Sequence, residues 1–249
     1  MSDHIVYSKE GALASLRFNR PEKKNAITMA MYAALAAGLR DAQDDPDVRA
    51  LGIFGGEAFT AGNDIAGFIA AASLGGAIED LPVVAFLRGL AAFPKPVIAG
   101  VKGVAIGIGT TLLMHCDAVV AGESARFAMP FTKLALVPEG ASSVLFPLIA
   151  GRMRASWYIL SGEQFDAVTA RELGLVTKVC ADADVDGAVA MMCGALAELP
   201  PKALAASKRL LKAPFAQLVD AAFAAEFEAF GTALRSSEAA EAFMKFMQR

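Results

Sequence analysis

The chain has 249 residues, enough to bury a large core as one α/β body with an appended helical segment. Hydrophobic residues make up 55% and charged ones 20%, with a formal net charge of −3, which excludes a disordered composition and a basic nucleic-acid footprint. A small molecule or another copy of the chain is the expected partner, and the three cysteines, Cys116, Cys180 and Cys193, lack the spacing of a disulfide framework or zinc site, so a reducing, cytoplasmic setting is expected.

The opening MSDHIVYSKEG has no charged segment leading into an apolar one, so no export signal is expected. Short β-like runs follow at LASLRFN, ALGIFGG, PVIAGVKG, DAVVAGE, ARFAM and GLVTKVC, each closed by Gly, Asn, Asp or Pro. Helical patterns lie between them: TMAMYAALAAGLRDAQDD after Thr28, DLPVVAFLRGLAAF, GTTLLMHC, SSVLFPLIAG, MRASWYILSG and TARELG. This alternation predicts an α/β core over residues 1–183. From 184 to 249 every pattern is helical, with apolar residues near a 3.6 period in stripes that pack on the core or on neighbouring subunits. AGFIAAASLGGAIED is the most loop-like stretch, and its Gly75–Gly76 pair reads as the hinge of a mobile cover. The most apolar stretch, PVIAGVKGVAIGIGTTLLMHCDAVVAG, contains Lys102, His115, Asp117 and repeated glycines, which argues for a buried strand-turn-helix-strand; no membrane partner is expected.

The glycines Gly100, Gly103, Gly107 and Gly109 first suggest a phosphate loop. The detail fails: Thr110 and Thr111 follow Gly109 with no lysine, and Leu112 stands where a dinucleotide fingerprint needs a third glycine. A Gly-x-Gly at a helix entry still lets a ligand approach backbone N–H groups, which suits a developing negative charge as well as a phosphate. AGND in FTAGNDIAGF, after a β-run, reads by itself as an ordinary turn. Glu139, in LALVPEG, sits amid apolar sequence, where a carboxylate is paired, solvated at a turn or employed in chemistry. The plain alternative is a helix first turn after a proline, where the dipole contributes about 0.3–1 kcal/mol. His115 reads as a packed or capping residue, and Cys116 has no supporting base in its motif.

Taken in order, LRFNRPEKKNAIT, AGNDI, PVIAGVKGVAIGIGTTLLMHCDAVVAG, ARFAMPFTKLALVPEGASS, SGEQFDAVTARELGLVTKV and PKALAASKRLL resemble the crotonase, or enoyl-CoA hydratase/isomerase, superfamily over nearly the whole chain. The resemblance implies a crotonase-like α/β spiral of ββα units, a C-terminal helical trimerisation region forming a homotrimer or dimer of trimers, and an acyl-CoA thioester substrate. It implies no separate cofactor, since coenzyme A is part of the substrate. Two backbone N–H groups, those of Asn63 and Ile108, are implied to hold the thioester oxygen, with Ile108 replacing the glycine of many relatives; the donor is a main-chain amide, so the side chain need not abolish it. Ala61, Gly62, Asp64, Ile65, Ala26, Lys24 and Gly107 are implied to bind substrate around them. Arg20, Lys23, Lys24, Lys208, Arg209 and Lys212 are candidates for the CoA phosphates, although each taken singly reads first as solvated charge. Phe68, Ile69, Leu74 and Leu81 are candidates for the acyl pocket, or equally for the core.

Hydratases of the family use two glutamates to activate water, and the corresponding places here carry Thr111 and Phe131. The PEG loop resembles that of Δ3,Δ2-enoyl-CoA isomerases, which makes Glu139 the implied single base. Leu134, Leu136 and Val137 are expected to raise its pKa and a helix start at Gly140 to lower it. The implied reaction shifts a 3-enoyl-CoA double bond to trans-2-enoyl-CoA, as in fatty acid oxidation. The alternatives are hydration or another acyl-CoA reaction, and a CoA-binding protein without turnover.

Overall fold

The computed structural model describes residues 2–247 except 66 and 68–77. Its larger sheet has six strands in the order β1 (Ile5–Glu10), β2 (Leu13–Phe18), β3 (Ala50–Phe54), β4 (Val97–Val101), β6 (Ala118–Gly122) and β9 (Lys178–Cys180). The β1–β2 pair is antiparallel, and every later neighbour is parallel. The smaller sheet joins β5 (Val104–Ile106), β7 (Arg126–Ala128) and β8 (Phe165–Asp166). A bridge from Thr60 to Ala105 lays the segment after β3 alongside β5, and another joins Ile27 to Asn63. The chain thus visits the larger sheet at β4 and the smaller at β5, then repeats with β6 and β7, producing the expected spiral.

The helices are α1 (Met29–Asp44), α2 (Pro82–Ala92), α3 (Ile108–Thr111), α4 (Ser142–Ala150), α5 (Arg152–Ser161), α6 (Ala167–Glu172), α7 (Val185–Ala197), α8 (Pro201–Lys212), α9 (Ala216–Leu234) and α10 (Ser237–Met247). Thr28 starts α1 by accepting a hydrogen bond from the Met31 amide at 3.3 Å, and the stripe Met31, Leu35, Leu39 and Ala42 turns inward. Every residue of β3 and β4 is buried, because helices cover both faces of the parallel sheet; this is why both strands read as unbroken apolar runs. On one face Val185, Ala188, Val189 and Cys193 of α7 meet Ala50, Phe54, Ile98 and Val120. The other face packs into the main cluster, which also contains α1, α2 and Phe223, Phe227 and Phe230 of α9. Of the helices after residue 184, α7 thus covers one face of the sheet and α9 and α10 join the main cluster, whereas α8 buries only Lys208.

Three strands carry no clear sequence signal. β1 is an edge strand with mostly exposed residues, and β5 and β8 have three and two residues. The helix expected over GTTLLMHC is shorter than expected: α3 ends at Thr111 and a 3-10 turn runs from Leu112 to His115, with all eight residues from Ile108 buried. Gly75 and Gly76 lie outside the described residues, as does most of the stretch read as a cover. Among the described residues no single helix is long and apolar enough to cross a membrane.

Candidate active site

The loop after β3 is tied residue by residue to the segment before α1. The Ala61 amide donates to Lys24 O at 2.9 Å, the Ile27 amide to Gly62 O at 2.8 Å and the Asp64 amide to Ile27 O at 2.9 Å. The Gly62 amide donates to Thr60 Oγ1 at 3.0 Å. Buried Asn25, held at φ 58°, clamps the same loop by donating from Nδ2 to Ala58 O at 2.8 Å. With its neighbours so engaged, the Asn63 N–H meets no acceptor among the described residues. Gly62 makes this turn feasible: its φ is +90°, and a Cβ there would stand 2.8 Å from Ile106 O.

The second loop comes from the glycine cluster. Gly107, at φ 57° and ψ −119°, donates its amide to Ala128 O at 2.8 Å and accepts at its carbonyl from Thr110 N (2.8 Å) and Thr111 N (3.0 Å). Ile108 is the first residue of α3, so its N–H belongs to the donors that a helix start leaves unpaired, and it has no acceptor among the described residues. Asn63 and Ile108 line one cleft together with Ala61, Gly62, Ile65 and Gly107. Its remaining walls are Ile106, Pro130, Phe131, Leu134 and Leu136, with Phe230 of α9 and Phe243 and Phe246 of α10. Two unpaired amides in an apolar cleft form a site suited to an oxyanion.

Glu139 is buried, with 7% of its surface exposed, and is not itself among the residues that line this cleft. Thr111, one turn along α3 from Ile108, donates from Oγ1 to Glu139 Oε1 at 2.5 Å. Glu139 Oε2 accepts no hydrogen bond among the described residues and is not one of the fully sealed, unpartnered polar atoms. Burial pushes its carboxyl up to about 8, against the pull of the Thr111 hydrogen bond and with the Glu226 charge adding to the rise. The apolar influence expected from the sequence therefore dominates. α4 begins at Ser142, with Ala141 as a left-handed cap at φ 57°, two residues later than the expected start at Gly140. Fully buried Tyr32 of α1 donates its hydroxyl to Asn63 Oδ1; burial, and secondarily the charge of Glu139, hold its phenol well above the ordinary range.

The loop around Glu139 is gripped from two further directions. His115 Nε2 lies 2.8 Å from Gly140 O, and because a carbonyl only accepts, this nitrogen carries the proton. Burial lowers the His115 pKa to about 4, so it is a neutral positioning group stacked 5.7 Å from Phe223. Glu226 of α9 accepts from Ala141 N at 2.6 Å and from Ser143 N at 2.9 Å. Neither Tyr32 nor Glu226 is singled out by a motif. For Glu226 a signal exists nonetheless: it falls on the inward stripe Phe223, Phe227, Phe230, where a charge needs a partner.

Other candidates separate clearly. Lys24, Ala26 and Asp64 run beside the cleft without lining it. Lys24 is exposed, and Asp64 Oδ2 pairs with Arg20 at 2.7 Å. Lys208 is buried, donating to Asp117 Oδ2 and Lys95 O, both at 2.6 Å, and Lys212 donates to Ala91 O at 3.0 Å, so both are engaged within the fold. Lys23 and Arg209 remain exposed. Burial pushes the Cys116 thiol up to about 12, which removes it as a nucleophile. Leu81 is half-buried against the main core, whereas Phe68, Ile69 and Leu74 lie outside the described residues.

The sequence model of the enoyl-CoA hydratase/isomerase family matches residues 8–249. The chain is 33% identical over its full length to enoyl-CoA delta isomerase 2 of Rattus norvegicus, spanning 64% of that protein's length. It is 33% identical to 1,2-epoxyphenylacetyl-CoA isomerase and 32% identical to 2,3-dehydroadipyl-CoA hydratase of Escherichia coli K12, covering 97% of each. Among solved structures, OdaA of Pseudomonas aeruginosa superposes with a TM-score of 0.96 at 43% identity, with both chains covered completely. An enoyl-CoA hydratase/isomerase of Pseudoalteromonas atlantica T6c superposes with a TM-score of 0.93 at 37% identity, covering 99% of this chain and 97% of that one.

Proposed function

Because the chain belongs to the enoyl-CoA hydratase/isomerase family, we propose that it is an acyl-CoA isomerase moving a double bond from C3–C4 to C2–C3 of a thioester. In this reading the Asn63 and Ile108 amides receive the thioester oxygen. Glu139 takes a C2 proton, the C–H electron pair flows into the C1–C2 bond, and negative charge develops on the oxygen between the two amides. The dienolate then takes the same proton back at C4, which leaves C2–C3 double-bonded, the carbonyl restored and Glu139 ionised. Each amide donor of this kind contributes about 2.7–4 kcal/mol to the barrier reduction. A carboxyl with a pKa of about 8 is suited to alternate between base and acid near neutrality.

The observation that carries the reading is the buried Glu139 carboxylate, held by Thr111 and with its pKa pushed up to about 8 by burial. Glu139 is tied by hydrogen bond to Thr111, on the short helix that Ile108 opens, and in this reading Thr111 and Phe131 occupy the places where hydration would need carboxylates. A threonine does not take a proton from carbon at neutral pH, and Phe131 presents an apolar wall to the cleft. The test supplies a 3-enoyl-CoA and follows the ultraviolet absorbance of the conjugated product, beside a 2-enoyl-CoA assayed for water addition. Wild type is expected to isomerise, and Glu139→Gln to lose about 10²–10⁴-fold in kcat. Equal rates for the two proteins would overturn the base assignment, and hydration without isomerisation would overturn the reaction.

A further inference from the structure

We propose that Glu226, contributed by the C-terminal helix α9, is a positioning residue that grips the loop bearing Glu139 and so holds the base at the cleft; this rests on the reading of Glu139 as the base. The grip is two-pronged. Oε2 accepts from the Ala141 amide at 2.6 Å and Oε1 from the Ser143 amide at 2.9 Å, across about eighty residues of chain. Ala141 is a non-glycine residue in the left-handed region, φ 57°, so the turn joining Glu139 to α4 is strained and needs an outside hold. Ala141 provides no side-chain cap for α4, and the Glu226 carboxylate takes that place at the positive end of the helix.

The location is unusual for an ordinary cap. Glu226 is 5% exposed, and its carboxylate oxygens accept from the amides of Ala141 and Ser143, at the cap and first turn of the helix that directly follows the proposed base. Burying a carboxylate is costly unless its lone pairs are filled, so withdrawing the loop from Glu226 would leave both sides unpaired. The groups facing the loop are Tyr32 from α1, Thr111 and neutral His115 from α3 and the turn after it, and Glu226 from α9. Arg88 of α2 lies over the rings of Phe223 and Phe227 and 3.9 Å from Asp220, and pairs with neither glutamate among the described residues. Burial raises the Glu226 carboxyl against the pull of the Ser143 and Ala141 amides; when ionised it faces Glu139 with no cation paired to it among the described residues, and its charge adds to the rise in the Glu139 pKa.

The experiment compares wild type, Glu226→Gln and Glu226→Asp, each with and without Glu139→Gln. Glu139 is titrated by carbon NMR of side-chain-labelled glutamate, and the pH profile of kcat and KM is measured with a 3-enoyl-CoA. Glu226→Gln removes the charge and turns an N–H toward an N–H. It is expected to lower kcat about tenfold or more, to leave KM within about threefold, and to move the Glu139 titration to lower pH. Glu226→Asp keeps the charge but shortens the reach; the expected result is a similar loss in kcat with the titration close to wild type. An unmoved titration and unchanged kcat in Glu226→Gln would overturn the proposal. If that variant does not fold, Glu226→Asp decides: wild-type kcat in a folded Asp variant overturns the proposal, and a selective loss in kcat supports it. Should Glu139→Gln retain full activity, the base reading fails by itself, while the NMR titration still judges the grip of Glu226.

Discussion

Among the described residues the Thr111 hydroxyl donates to Glu139 Oε1 alone, so it favours the ionised carboxylate while burial favours the neutral acid. Burial wins, which places the titration at about 8. A base must be ionised to work, so kcat/KM is expected to rise with pH up to this point and then level off. Thr111→Val keeps the shape and removes the donor. Without the stabilising hydrogen bond the charged form becomes harder to reach, so the acidic limb is expected to move upward by about one pH unit. The pH–rate profiles of the two proteins check this: a limb that stays in place or moves downward would mean that Thr111 does not hold the ionised carboxylate. The same residue explains why a bare sequence comparison is incomplete. The family resemblance sets Thr111 where hydratases carry a carboxylate, and in the fold Thr111 is the hydrogen-bond partner of Glu139.

At the scale of elements, the two unpaired amides depend on glycines for different reasons. Gly107 has φ 57° and ψ −119°, yet a Cβ there would meet nothing within 4 Å; Gly62 combines φ +90° with a backbone oxygen 2.8 Å from the added Cβ. Gly107→Ala is therefore expected to cost about 1–3 kcal/mol of stability from backbone strain alone. Gly62→Ala adds a collision that only main-chain movement relieves, and this displaces the Asn63 amide. Its kcat/KM is expected to fall about a hundredfold or more, the effect of losing one oxyanion donor. Urea unfolding and steady-state kinetics on both variants check the order, and a Gly62→Ala enzyme at wild-type rate would exclude Asn63 N–H from the oxyanion site. These turns were legible in the sequence because AGND and GIG are local patterns, as were α1 after Thr28 and the apolar runs of β3 and β4. Tyr32 was not, since its bond to Asn63 spans 31 residues and exists only once α1 packs under the loop. Glu226 lies farther still from Ala141, and the cleft walls Phe230, Phe243 and Phe246 come from helices whose periodicity reports only that one side is apolar. A helical stripe shows that a face is buried; the residue it meets is decided by tertiary packing.

For the whole molecule, the C-terminal helices have two apolar sides with different fates. Phe223, Phe227 and Phe230 close the core, whereas Leu210 (69% exposed), Leu211 (74%) and Leu218 (52%) point away from it on α8 and α9. Fully burying one such leucine is worth about 1.5–3 kcal/mol, so exposed leucines of this kind favour association. We propose that this outward side packs against other copies of the chain in the trimer implied by the family resemblance. Light scattering at micromolar concentration is then expected to give three times 25.9 kDa, or six times if two trimers pair. Leu211→Arg places a charge on that face and is expected to lower the mass to 25.9 kDa while the described fold persists by circular dichroism. Because α9 carries both Glu226 on its inner side and Leu218 on its outer side, dissociation is expected to weaken turnover as well, with kcat falling more than KM rises. A wild-type protein already monomeric at this concentration would remove the association, and a monomeric Leu211→Arg at full kcat would show that the grip on the Glu139 loop is complete within one chain.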